Sequence, residues 1–164
     1  VTGAARGIGR AIAVDFARNG ADVALLDIAD PTGGMAISGY RLANESELDE
    51  AVTAVQAQGV KALKLKVDVR NYIAMKEAAS RITRELGGLD VAVANAGICI
   101  WTTVESSKEQ QWREVVDVNV NGVFNTIQAA IPHLKARSGG QIITLSSVGG
   151  RQGVVRNGAY GTTK

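Results

Sequence analysis

Apolar residues along this chain change period repeatedly, from short continuous runs to three- and four-residue steps and back. After a glycine-rich start, Ala11, Ile12, Val14, Phe16 and Ala17 recur at helical spacing over residues 10–19, and Gly20 stops the run. Residues 22–27 form a short apolar run that predicts a buried strand. A helix is predicted over 45–58, with Leu48, Val52 and Val55 on one side and Gly59 as its stop, then a strand over 61–67. A helix over 71–86, with Asn71 as its candidate cap, leads through Gly87 and Gly88 into an apolar strand over 89–94. One long helix is predicted from about 109 to 135 on the spacing of Trp112, Val115, Val116, Phe124, Ile127 and Ile131. A strand over 141–147 follows, and a last helix begins near Asn157. Strand and helix thus alternate, and the strands are apolar enough to be covered on both faces. The predicted fold class is α/β, a Rossmann-like doubly wound parallel sheet with helices on both faces.

Composition narrows the reading. With 164 residues, 46% hydrophobic and 21% charged, residues 1–164 have the balance of one globular domain with a core of its own. The net charge of +2 comes from 18 basic and 16 acidic residues spread along the chain, without a block that would track phosphate backbones, so nucleic acid is not an expected partner. Cys99 is the one cysteine and His133 the one histidine, which excludes an internal disulfide and gives no cluster with metal-ligand spacing. Neither a membrane-spanning run nor a leader is visible, and the expected location is cytoplasmic. The long irregular stretch 28–44, with Pro31, Gly33, Gly34 and Gly39, is expected to be an insertion beside a ligand pocket.

Ligands of doubly wound sheets sit beyond the carboxyl ends of the strands. Gly3, Gly7 and Gly9, with Asp27, Asp68, Asn95 and Ser147, each fall at such an end and are expected to converge on one crevice. The spacing Gly3-x-x-x-Gly7-x-Gly9 permits a tight turn and close backbone approach, with the amides of the following helix aimed at a dinucleotide pyrophosphate. Asp27 can accept from both ribose hydroxyls of NAD and repel a 2′-phosphate, which favours NAD over NADP, whereas Arg6 argues mildly the other way. Asp68 could accept from the adenine amino group; Asp27 and Asp68 are also what ordinary turns contain. Tyr160 and Lys164, four apart, share one helical face and place an ammonium near a phenol. A phenol is a poor base near neutrality, and a neighbouring cation favours its ionised form, so the pair could move a proton to or from an alcohol. Ser146 and Ser147 point to opposite sides of a strand, so one of them faces the crevice. Asn119 lies inside the long predicted helix, where asparagine is a poor helix former; a buried structural contact and a proton-relay role are both compatible with it.

These motifs together resemble the short-chain dehydrogenase/reductase family, across essentially the whole chain. The resemblance rests on TGAARGIG at 2–9, Asp68-Val69, NAG at 95–97, DVNVNGVF at 117–124, ITLSS at 143–147 and YGTTK at 160–164. It implies a catalytic tetrad of Asn119, Ser147, Tyr160 and Lys164, with Tyr160 as acid/base, Ser147 orienting the substrate, Lys164 also holding the nicotinamide ribose, and Asn119 positioning a relay water. The implied cofactor-binding residues are Gly3, Arg6, Gly7, Ile8, Gly9, Asp27, Asp68, Val69, Asn95, Ala96, Gly97, Tyr160 and Lys164. The implied activity is hydride transfer between NAD and a secondary alcohol or ketone in a homo-oligomeric parent, dimer or tetramer. Reduction of 3-oxoacyl-carrier-protein is the alternative reaction, and a non-catalytic dinucleotide sensor or scaffold the alternative class. Ala94 departs from the asparagine many members carry there. The stretch GYRLANESELDEAV is similar to carveol-dehydrogenase-like, mycofactocin-linked members, whose insert covers the cofactor and implies slow NAD exchange, although many of them have glutamine where Ile8 stands. Members also extend further at both ends, so the isolated 164 residues are expected to be inactive.

Overall fold

The structure, a computed structural model, describes residues 1–32 and 40–164. Gly33, Gly34 and Gly39 lie outside the described residues. The order of elements is α1 (Gly7–Arg18), β1 (Val23–Asp27), α2 (Glu45–Gln56), β2 (Ala62–Lys66), α3 (Tyr72–Leu86), β3 (Val91–Ala94), α4 (Glu109–Val116), α5 (Gly122–Ala136), β4 (Gln141–Thr144) and α6 (Gly158–Thr162).

Two parallel ladders form, β1 with β2 and β3 with β4. They are joined by the first two residues: Thr2 bridges to Leu26 in β1, and its amide donates to the Val93 carbonyl in β3 at 3.0 Å. The spatial order is therefore β2, β1, Val1–Thr2, β3, β4. Strand alternation supplies both cores. Val23 and Leu25 point into one with α1 and α2, through Ala13, Ala17, Leu48, Ala51 and Val55. Ala24 and Leu26 point into the other with α3 and the α4–α5 region, through Met75, Ile82, Val115 and Ala129. Helices on both faces of parallel strands make this a Rossmann-like α/β fold.

Local chemistry sets the helix ends. Asn44 and Glu47 form a reciprocal capping box at the start of α2, Asn71 caps α3, and Gly87 closes α3 at φ +85°. Three expectations need correction. The helix over 109–135 is not continuous: Asp117–Asn121 form a π-helical turn between α4 and α5. Its widened ring carries Asn119, and that buried side chain makes the hydrogen bonds described below, which offset the poorer backbone geometry. The strand over 141–147 ends at Thr144, because the chain then turns into a 3-10 turn over Val148–Gly150 capped by Ser147. Helix α1 starts at Gly7 rather than residue 10, so the glycine turn runs straight into it.

Candidate active site

At the carboxyl ends of the strands lies a cavity of about 650 Å3. Every residue expected to hold the cofactor lines it: Gly3, Arg6, Gly7, Ile8 and Gly9 from the first turn, Asp27 from β1, Asp68 and Val69 after β2, Asn95, Ala96 and Gly97 after β3, and Tyr160 and Lys164. The turn is packed as tightly as its glycines permit. A Cβ on Gly9 would lie 2.1 Å from the Gly3 carbonyl oxygen, and one on Gly3 would lie 2.9 Å from the Ala96 Cα. Gly3 and Gly7 hold φ +65° and +56°, in the left-handed region open to glycine. No side chain caps α1, so its first-turn amides are left for an anionic ligand beside the cavity.

The two aspartates are more engaged than the sequence suggests. Asp27, only 9% exposed, accepts from the Ala5 amide on one oxygen and the Ala29 amide on the other, each at 3.0 Å. It thus pins the glycine turn to the end of β1, and each carboxylate oxygen keeps a lone pair for a further donor. Asp68 pairs with the Arg70 guanidinium at 2.6 Å, and Arg70 Nε donates to both its oxygens, at 3.0 and 2.8 Å. The hydrogen bonds that Arg70 donates to Asp68 raise the Arg70 pKa from its ordinary value. Arg6 is occupied as well: its Nη2 donates to the Arg41 carbonyl, and its guanidinium sits 5.5 Å from the centroid of the Tyr40 ring.

The stretch 28–44 was expected beside the pocket, but the residues of the strap that Arg6 holds were not singled out. Tyr40, Arg41, Leu42 and Ala43, from the end of the predicted insertion, line the cavity. The Tyr40 hydroxyl donates to the Gly97 carbonyl at 3.2 Å, and Arg41 makes a two-pronged pair with Glu47 at 2.8 Å in each arm. Those Arg41 bonds, with the Asn44 amide, bring the Glu47 pKa down to about 2. The length of the irregular stretch and the similarity of GYRLANESELDEAV were the signals for it. Thr2 was missed too: nearly fully buried, its hydroxyl accepts from the amides of Asn95 and Ala96 while donating to the Val93 carbonyl.

On the other side of the cavity, Lys164 Nζ donates to the Leu145 carbonyl at 3.0 Å and lies 5.7 Å from the centroid of the Tyr160 ring. Burial lowers its pKa from the ordinary lysine value. Asn119, 3% exposed, is behind the wall rather than on it. Its Oδ1 accepts from the Ile98 amide at 2.9 Å, and its Nδ2 donates to the Ile98 carbonyl at 2.9 Å and to Thr163 Oγ1 at 3.0 Å. Of the two serines, Ser146 is the one on the cavity wall, donating to the Lys164 carbonyl at 3.2 Å. Ser147 accepts from the Gly149 amide at 3.2 Å, and the turn it caps packs on Tyr160, so that a Cβ on Gly149 would lie 3.6 Å from the ring. Among the described residues no cluster of three metal-ligating side chains occurs, and no helix is long and apolar enough to cross a membrane.

A glycine turn opening an uncapped helix, a carboxylate at the end of β1 and a Tyr/Lys pair thus share one cavity. The family model described as short chain dehydrogenase matches residues 1–164. The chain belongs to the short-chain dehydrogenase family. An uncharacterized NAD-dependent oxidoreductase of Mycobacterium tuberculosis is 38% identical over 165 residues, all of this chain and 59% of the relative. A 3-oxoacyl-[acyl-carrier-protein] reductase of Staphylococcus aureus is 37% identical, covering all of this chain and 61% of that protein. The crystal structure of carveol dehydrogenase from Mycobacterium avium in complex with NAD superposes with a TM-score of 0.92 at 35% identity, over 99% of this chain and 58% of that one. The chain therefore spans about three fifths of the length of these short-chain dehydrogenases.

Proposed function

We propose that the whole protein is an NAD(H)-dependent oxidoreductase acting on a secondary alcohol or ketone, with Tyr160 as the acid/base. The observation that carries the reading is the shared cavity, which Tyr160 and Lys164 line together with Gly3, Gly7, Gly9 and Asp27. The cradle fits a dinucleotide. The uncapped amides of α1 suit its pyrophosphate, and the free lone pairs of Asp27 suit its adenosine ribose. Asp27 also supports NAD over NADP, because a buried carboxylate repels a 2′-phosphate, and Arg6 is held by the strap rather than offered to one. When bound, NAD supplies the hydride acceptor, and its reduced form the donor.

The chain's own residues handle orientation and the proton. Tyr160 Oη takes the proton of the alcohol in oxidation and returns one to the ketone oxygen in reduction. The Lys164 ammonium favours negative charge developing on that oxygen, and two of its three N–H donors remain after the bond to Leu145 for a ribose hydroxyl or the phenol. Ser147 lies off the wall that Ser146 lines, in the turn that packs on Tyr160, and it uses a lone pair toward Gly149, which leaves its hydroxyl hydrogen to donate to a substrate oxygen held against Tyr160. Asn119 has both amide hydrogens and one lone pair committed to protein partners, which leaves the second lone pair of Oδ1 for a relay water. The strap from Tyr40 to Ala43 supports slow cofactor exchange.

Replacing Tyr160 by Phe in the whole protein is expected to abolish oxidation of secondary alcohols while leaving NAD affinity within about threefold, which is under 1 kcal/mol. Undiminished turnover in that variant would overturn the assignment of the proton to Tyr160.

A further inference from the structure

Helix α6 carries Tyr160, and contacts outside the helix tie it to the rest of the site. One such contact reaches the carbonyl of Tyr160 through Thr163, the YGTTK residue just before Lys164. Thr163 Oγ1 donates to the Tyr160 carbonyl at 2.7 Å and accepts from Asn119 Nδ2 at 3.0 Å.

The direction of these bonds is forced. Ile98 presents its amide and its carbonyl to the same asparagine side chain, at 2.9 Å each, so the Asn119 oxygen must face the amide and its nitrogen must face the carbonyl. The second hydrogen on that nitrogen is then aimed at Thr163, whose hydroxyl can only accept it. A hydroxyl has a single hydrogen. Having accepted from Asn119, it spends that hydrogen on the Tyr160 carbonyl. One hydroxyl therefore links the loop after β3, where Gly97 and Ile98 line the cavity, to the turn that carries Tyr160 and Lys164.

We propose that Thr163 is a positioning residue, whose hydroxyl holds the Tyr160–Lys164 turn in register with the cofactor loop by locking the Asn119 carboxamide. The inference rests on the reading of Tyr160 as the acid/base and adds a group that touches neither substrate nor cofactor. Valine has the same branched shape and cannot accept a hydrogen bond, and serine keeps the hydroxyl and loses only a methyl group.

In the whole protein, Thr163→Val is expected to lower kcat about ten- to a hundredfold, the range between one lost buried hydrogen bond and a slight misplacement of a reacting group. KM for NAD is expected to stay within about twofold, and Thr163→Ser to recover kcat to within about threefold of the parent. A Thr163→Val enzyme as fast as the parent overturns the proposal, and so does a Thr163→Ser enzyme as slow as Thr163→Val, since side-chain volume would then be what matters. A second readout does not depend on turnover, and its parent arm does not depend on the valine variant folding. The Asn119 side-chain amide proton that faces Thr163 is expected to be protected from solvent exchange in the parent and in Thr163→Ser, and to exchange faster in Thr163→Val, while the proton facing the Ile98 carbonyl stays protected. Rapid exchange in the parent would by itself overturn the proposal. Should the parent bind NAD yet oxidise no alcohol, the enzymatic reading falls while the Asn119 amide signals still decide the role of Thr163.

Discussion

The glycine turn yields the sharpest test, because two of its glycines are needed for different physical reasons. At Gly9 an added Cβ would stand 2.1 Å from the Gly3 carbonyl oxygen, 2.6 Å from Asn95 Nδ2 and 2.8 Å from the Gly3 carbonyl carbon. Two of those neighbours are backbone, so relief requires α1 to move by roughly 1 Å or more to restore contact distances. The move would also strain the bonds from Asn95 Nδ2 to the carbonyls of Thr2 and Gly3. Overpacking costs about 1–3 kcal/mol, and with backbone on the receiving side Gly9→Ala is expected at the upper end, about 3 kcal/mol. At Gly7 a Cβ meets nothing within 4 Å, and the difficulty is φ +56°. Gly7→Ala should therefore cost only the left-handed strain, about 1–2 kcal/mol. Urea denaturation of the whole protein measures both, and NAD titration should show at least about a tenfold loss for Gly9→Ala as the α1 amides shift, equivalent to 1.4 kcal/mol. If Gly9→Ala proved as stable as Gly7→Ala, the close packing of α1 on the first turn would be wrong.

Two further tests use charge. Asn119→Asp keeps the shape but turns an oxygen toward the Ile98 carbonyl, at a cost of about 2–4 kcal/mol near neutrality. The loss should shrink in acid, where a protonated carboxyl can donate again, and equal losses at acid and neutral pH in urea melts would sink the assigned bonding. Glu47 is expected to titrate near 2 by NMR, below the ordinary 4.5, chiefly because of Arg41 and then the Asn44 amide. Its folded value is depressed, so its hold on the strap is complete above the ordinary value and is lost as pH falls through about 2. Arg41→Ala should raise that midpoint, and an ordinary midpoint in the parent would show that the pair does not form.

What the sequence made legible was periodic or local. The alternation of β1 through β4 with α1 through α5 followed from the spacing of apolar residues, and the cavity residues from their placement at strand ends. What stayed hidden is long-range hydrogen bonding, which leaves no period. A buried structural contact was one reading of Asn119, but its partner was not legible: the side chain sits in a π-helical turn rather than a continuous helix, and its bonds reach back to Ile98, in the loop after β3. Asp27 was legible as a ligand group or an ordinary turn residue, but not as the acceptor for the Ala5 amide of the glycine turn, 22 residues away. Alternation along a strand could say that Ser146 and Ser147 diverge, but not that the strand would end at Thr144 and hand Ser147 to a capping role. These surprises share a cause. Asn119 and Asp27 each hold backbone of a distant segment and Ser147 holds that of the next turn, so their chemistry is spent first on assembling the crevice. Their substitution should therefore disturb stability and function together, whereas Tyr160→Phe, which removes only a hydroxyl at the cavity wall, should separate them.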